Sequence, residues 1–137
     1  MEKTSILYPA ISMMTLTLFI YVKNYLDNRK AVLNKSIKFS YFKTYKGEVP
    51  DYMTVSRQTL KNQFELPIFF YFLVSIILAF DKVSQLDIIF AWLFSASRYL
   101  HCYIRLSSNY VPYRGKIFQL SMLILIVWWI IFLYNIL

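Results

Sequence analysis

Apolar residues run along the chain in four long blocks, with the polar residues gathered between them. Residues 6–22 carry no charge, 64–80 carry only Glu65, 88–104 carry only Arg98 and His101, and 117–137 carry none. A helix that crosses a bilayer needs about 20 mostly apolar residues, with about 17 as the floor, and every block reaches it. The blocks are continuous, whereas a membrane barrel needs short strands of alternating character. The pattern therefore predicts an all-α integral membrane protein, a four-transmembrane-helix bundle in one domain of 137 residues. The helices are expected over about 5–26, 56–80, 86–107 and 116–136.

Between the first two blocks lies the one long connection, a basic loop at about 27–55. Its start, "KNYLDNRKAVLNKSIKF", has a character that can extend the first helix beyond the membrane. "YKGEVPDYM" brings the first Gly and a Pro, and reads as a turn. The second connection, "DKVSQLD", is short, so the second and third helices form an antiparallel pair. The third, "LSSNYVPYRGK", is polar and cationic.

Composition supports the same class. The chain is 58% hydrophobic and 20% aromatic, more apolar surface than a soluble domain of this size can hide. The net charge of +8 is unevenly placed. Residues 23–61 hold nine Lys/Arg against three Asp/Glu, and Arg105, Arg114 and Lys116 add three more cations. The short second connection is net negative. Positive loops stay on the cytoplasmic side, so loops 1 and 3 are expected inside and both termini outside. This charge serves topology and attraction to anionic lipid rather than nucleic acid. No small-x-small cleavage site follows the first block, so it reads as a retained helix. With no targeting peptide and a short chain rich in Lys, Ile and Tyr, the expected location is a bacterial inner membrane. One cysteine, Cys102, allows no internal disulfide, and one His with one Cys makes no metal site. No P-loop, GxGxxG, CxxC or HExxH occurs.

Chemistry enters with the ionisable residues inside the blocks, which normally face the bundle interior or a watery cavity. Gln58, Asn62 and Glu65 are spaced i, i+4, i+7 and would share one helical face, with Arg57 and Lys61 as a neighbouring stripe. Arg98, His101, Arg105 and Asn109, at i, i+3, i+7, i+11, form a second stripe that ends at the third loop with Tyr113, Arg114 and Lys116. Both stripes meet near the cytoplasmic surface. Cations outnumber the single acid, so the surplus guanidinium groups want an anion, which Arg can grip bidentately. The competing reading is a helix–helix ion pair of Glu65 with Arg98 or Arg105.

"KNQFELPIFF" and "SRYLHCYIRLSSNYVPYRGKIF" together resemble the signatures of the membrane-associated proteins in eicosanoid and glutathione metabolism, the MAPEG family. Its members include microsomal glutathione transferases, leukotriene C synthase, microsomal prostaglandin E synthase and the lipoxygenase-activating protein. The resemblance covers nearly the whole chain. It implies a homotrimer with glutathione bound between protomers near the cytoplasmic side. Carried over by position, Asn62 and Glu65 would contact glutathione, with Gln58, Lys61, Arg98, His101, Arg105, Asn109 and Tyr113 around it. Arg114 would stabilise the glutathione thiolate as the catalytic residue. Three positions depart from the enzymes: Gln58 replaces an arginine, Gly115 follows Arg114 in place of a serine, and Phe118 replaces a tyrosine. The leading expectation is a glutathione-dependent transferase or peroxidase acting on lipophilic electrophiles. The alternative is a non-catalytic trimer that binds membrane lipid, a lipophilic small molecule or a partner. A proton or anion pathway through Glu65, Arg98 and His101 is a third reading.

Overall fold

A computed structural model describes residues 3–137. After a short 3-10 turn, Lys3–Ile6, five α-helices follow: α1 (Leu7–Leu33), α2 (Asp51–Asn62), α3 (Leu66–Ala79), α4 (Gln85–Leu106) and α5 (Val111–Ile136). Helices α2 and α3 are two parts of one long rod. Counting them together gives the four rods that the apolar blocks predict. Three helical segments, Thr4–Leu33, Asp51–Ala79 and Val111–Ile136, are long and apolar enough to cross a membrane by length and composition. The 22 residues of α4 span about 33 Å at 1.5 Å per residue. This helix is less apolar because it carries Asp87, Arg98 and Arg105, and all three are buried in the bundle. Together these elements make a four-helix membrane bundle.

Helix ends differ from the sequence expectation. The first helix continues to Leu33, well past the expected end at about 26, and the last begins at Val111 rather than at about 116. Nor is the stretch at about 27–55 an open loop. It holds the last turns of α1, a 3-10 turn at Phe39–Lys43 and the start of α2. The reason is a second small core, in which Ala31, Ile37, Tyr41 and Met53 bury one another. The expected turn at "YKGEVPDYM" is present, and Gly47 sits there at φ +119°, a backbone conformation that favours glycine.

The main core lies between α1, α3, α4 and α5. Phe70 stacks on Phe94 with centroids 4.8 Å apart, and Trp128 closes the layer. Lipid is as apolar as these side chains, so burial alone does not hold membrane helices together; close packing and interhelical hydrogen bonds do. Several such bonds are present. Ser97 Oγ donates to Ser121 Oγ at 2.8 Å, Ser95 Oγ to the Pro9 carbonyl at 3.2 Å, and Tyr99 Oη to the Ser12 carbonyl at 2.8 Å. At the other end of α4, Ser84 and Asp87 form a reciprocal capping box, which satisfies two of the helix's free amides. The second Asp87 oxygen accepts from Trp128 Nε1 at 2.7 Å. Large apolar side chains such as Phe19, Phe69, Phe72 and Ile130 point outwards, as a lipid-facing surface requires.

Candidate functional site

The site begins with the break in the second rod. Pro67 cannot donate to the carbonyl four residues back, and its ring would collide with it. The helix therefore stops at Asn62 and restarts at Leu66, with Glu65 at the restart in a non-helical conformation (φ −99°, ψ −93°). The amides of Gln63 and Phe64 tighten onto Leu60 and Lys61. Residues 63–65 thus form a corner from which Gln63 turns inward to α4.

From α4, Arg98, His101 and Arg105 project into the bundle, and Arg98 is wholly buried. Arg98 Nη2 donates to the backbone carbonyl of Asn62, at the break, at 3.4 Å. Arg105 Nη2 donates to Gln58 Oε1 at 2.6 Å. With its amide oriented so that donors meet acceptors, Asn62 donates to Glu65 Oε2 at 3.1 Å and accepts from Arg105 Nη1 at 3.3 Å. One side chain thereby links the acid to the cation. The Phe118 ring from α5 lies under Arg98 at 5.7 Å and against His101 at 5.9 Å.

Several nitrogens in this cluster are unused. Among the described residues, Arg98 Nε and Nη1, Arg105 Nε and His101 Nδ1 are buried without a hydrogen-bond partner. No carboxylate pairs directly with Arg98 or Arg105 among those residues. A buried cation left in this state is costly. The cluster is a preformed set of donors that an anion would satisfy.

Not every expected residue arrives there. Gln58, Asn62, Arg98, His101 and Arg105 come together. Glu65 stays in contact with Asn62 but lies at the rim of the cluster. Its ion pair is with Lys61 at 3.9 Å, not with an arginine of α4, and both side chains are largely solvent-accessible. Asn109 lies beyond the end of α4, at φ +48°, so it is no part of a continuous helical stripe. Instead it accepts from Arg114 Nη1 at 2.6 Å. Arg114 belongs to the first turns of α5 rather than to a loop. Tyr113 is 61% exposed and packs edge-on against Tyr110, so it does not join the cluster.

One cluster residue escaped the sequence reading. Gln63 is 2% exposed, donates to Cys102 Sγ at 3.1 Å and leaves its own Oε1 without a partner among the described residues. The available signal was a second amide beside Asn62 at the mouth of an apolar block. Cys102 also lines a cavity of about 550 Å³ between α1 and α4, walled by Leu16, Phe19, Ile20 and Tyr103. A smaller cavity, about 210 Å³, touches Arg105 and Asn109. Polar cluster and apolar cleft therefore lie on two sides of the same stretch of α4. Among the described residues no group of three or more His, Cys, Asp or Glu is placed to hold a metal ion.

A family model, that of the MAPEG family, matches residues 6–134 of the chain. The chain belongs to that family. No curated protein and no solved structure matches it. Membership places the chain among membrane proteins of the glutathione and eicosanoid kind, and the bundle is consistent with it.

Proposed function

We propose that this MAPEG protein is a glutathione-dependent transferase or peroxidase acting on lipophilic electrophiles. The observation that carries the reading is the set of buried guanidinium nitrogens, Nε and Nη1 of Arg98 and Nε of Arg105, without a partner among the described residues. Glutathione has two carboxylates for such donors and an ammonium group for an acid. In this reading Arg98 and Arg105 hold the carboxylates, with Gln58 and Asn62 fixing Arg105. Glu65 takes the ammonium group, and Lys61 guards the outer edge. Glutathione supplies a sulfur nucleophile, and Arg114, released from Asn109, stands beside that sulfur and favours its thiolate. The apolar cleft beside Cys102 offers the lipophilic partner a route from the membrane. A homotrimer would close the site between protomers, with loops 1 and 3 in the cytoplasm and the protein in a bacterial inner membrane.

A second reading, a non-catalytic lipid- or partner-binding trimer, draws on Gln58. Its oxygen already satisfies one nitrogen of Arg105, a bond that an arginine at position 58 would not make. Calorimetry on detergent-purified chain separates the two readings. Glutathione binding in the micromolar to low-millimolar range, lost in Glu65→Gln and Arg114→Ala, is the expected result, from a species of three copies by sedimentation. No heat up to about 10 mM, against about −4 kcal/mol for a Kd of 1 mM, would leave the non-catalytic reading standing.

A further inference from the structure

The connection between α4 and α5, residues 107–110, is fastened to α4 through its backbone. The Ser107 N–H donates to the Tyr103 carbonyl at 3.0 Å, and the Asn109 N–H to the Ile104 carbonyl at 2.8 Å. These bonds satisfy carbonyls that the end of α4 would otherwise leave free. Asn109 adopts a left-handed backbone, φ +48°, which asparagine accepts more readily than most residues. Its backbone is thus tied to α4, while its side chain is left for another partner.

That side chain reaches across the turn to α5. Asn109 Oδ1 accepts from Arg114 Nη1 at 2.6 Å, the one hydrogen bond of the Arg114 side chain among the described residues. No carboxylate lies within ion-pair distance of Arg114 among those residues. Arg114 stands on the first turns of α5, just after Pro112, and its N–H donates to the Tyr110 carbonyl at 3.1 Å. A long side chain on one helix is therefore held by a short, fixed one at the end of the other. The chemistry of the hold matters. A neutral amide satisfies one guanidinium N–H and leaves the positive charge unanswered, whereas an anion answers both. An aspartate in the same place would answer the charge permanently.

We propose that Asn109 is a positioning residue that parks Arg114 in the ligand-free site, and that it is not itself a contact of glutathione. The parked state rests on the turn; what takes Arg114 over, the sulfur of glutathione, rests on the functional reading above. Breaking the Asn109 bond draws on the binding free energy, so the apparent affinity falls by the fraction of sites in which Arg114 is free. In return the cation stays sheltered from weakly bound cytoplasmic anions until the site fills.

The test uses the full chain in detergent and two substitutions that tolerate the left-handed turn but pull in opposite directions. Asn109→Gly removes the hold, and calorimetry should show glutathione binding about tenfold tighter, the low end for a hydrogen bond to a charged group. Asn109→Asp adds a charge to the hold, and binding should weaken about tenfold. Weaker binding in Asn109→Gly would mark Asn109 as a direct contact or a structural support, and it would overturn the proposal, as would unchanged binding in Asn109→Asp. A second arm needs no glutathione. Modification of Arg114 by phenylglyoxal, located by peptide mass spectrometry, should run at least about threefold faster in Asn109→Gly than in the parent chain, and at least about threefold slower in Asn109→Asp. Equal rates in all three would overturn the parked state. If the parent chain binds no glutathione, the functional reading fails by itself, and the labelling rates alone decide the role of Asn109. If Asn109→Gly does not fold, Asn109→Asp decides in both arms.

Discussion

Arg98 is the residue on which the site turns. Its side chain is wholly buried, it meets one backbone carbonyl at the outer limit of hydrogen bonding, and two of its nitrogens have no partner among the described residues. A buried charge without good partners makes a protein less stable than an apolar side chain of similar volume would. Arg98→Met should therefore stabilise the ligand-free chain by about 1–4 kcal/mol. The same change should weaken glutathione binding at least about 30-fold, the lower end for deleting one partner of a buried charge pair. Unfolding in detergent, with and without glutathione, reads both effects. A variant less stable than the parent would mean that Arg98 is a packing residue and not a waiting ligand.

The break between α2 and α3 matters most at the level of elements. An unbroken rod over residues 51–79 would place Asn62 and Glu65 on one face, and the Asn62 carbonyl would be used within the helix. Pro67, which has no N–H for the Gln63 carbonyl and would collide with it, breaks the rod here, and at the break the Asn62 carbonyl accepts from Arg98. Pro67→Ala should let the rod close. The amides of residues 64–66 should then exchange at least about tenfold more slowly, since a new hydrogen-bonded turn protects them, and glutathione binding should fall in parallel. Unchanged exchange would show that the Gln63–Cys102 contact, not the proline, holds the corner open. The capping box at Ser84 marks the start of α4 at the opposite end, and that end makes no contact with the site.

For the whole molecule, the distribution of charge predicts how the bundle lies in the membrane. Residues 23–61 and 105–116 hold twelve of the fifteen Lys/Arg, and the α3–α4 turn holds one. Cys102 is the one native thiol and is buried, so Cys102→Ser gives a clean background for labelling. Lys46→Cys should react with a membrane-impermeant maleimide only in inside-out vesicles, and Lys82→Cys only in right-side-out ones. The reverse pattern would place the candidate site on the outer face and remove cytoplasmic glutathione as its ligand.

Much of this protein was readable from the order of its residues. Hydropathy and charge are local sums, so the four rods, the membrane class, the basic connections and the polar stripe of Arg98, His101 and Arg105 could be read without coordinates. The two family motifs carried the MAPEG resemblance for the same reason. What needed the tertiary structure was which atoms meet. Helical periodicity groups residues by face only while the helix stays regular. It ended at Leu106, which took Asn109 off its expected stripe, and broke at Gln63, which left Glu65 at the rim of the cluster. Gln63 turned inward onto Cys102, Arg105 found Gln58, and Arg114 found Asn109. A buried guanidinium without its acid is visible only when every neighbouring rod is in place, because hydrogen bonds depend on rotations and offsets of about an ångström, which spacing along a chain does not encode.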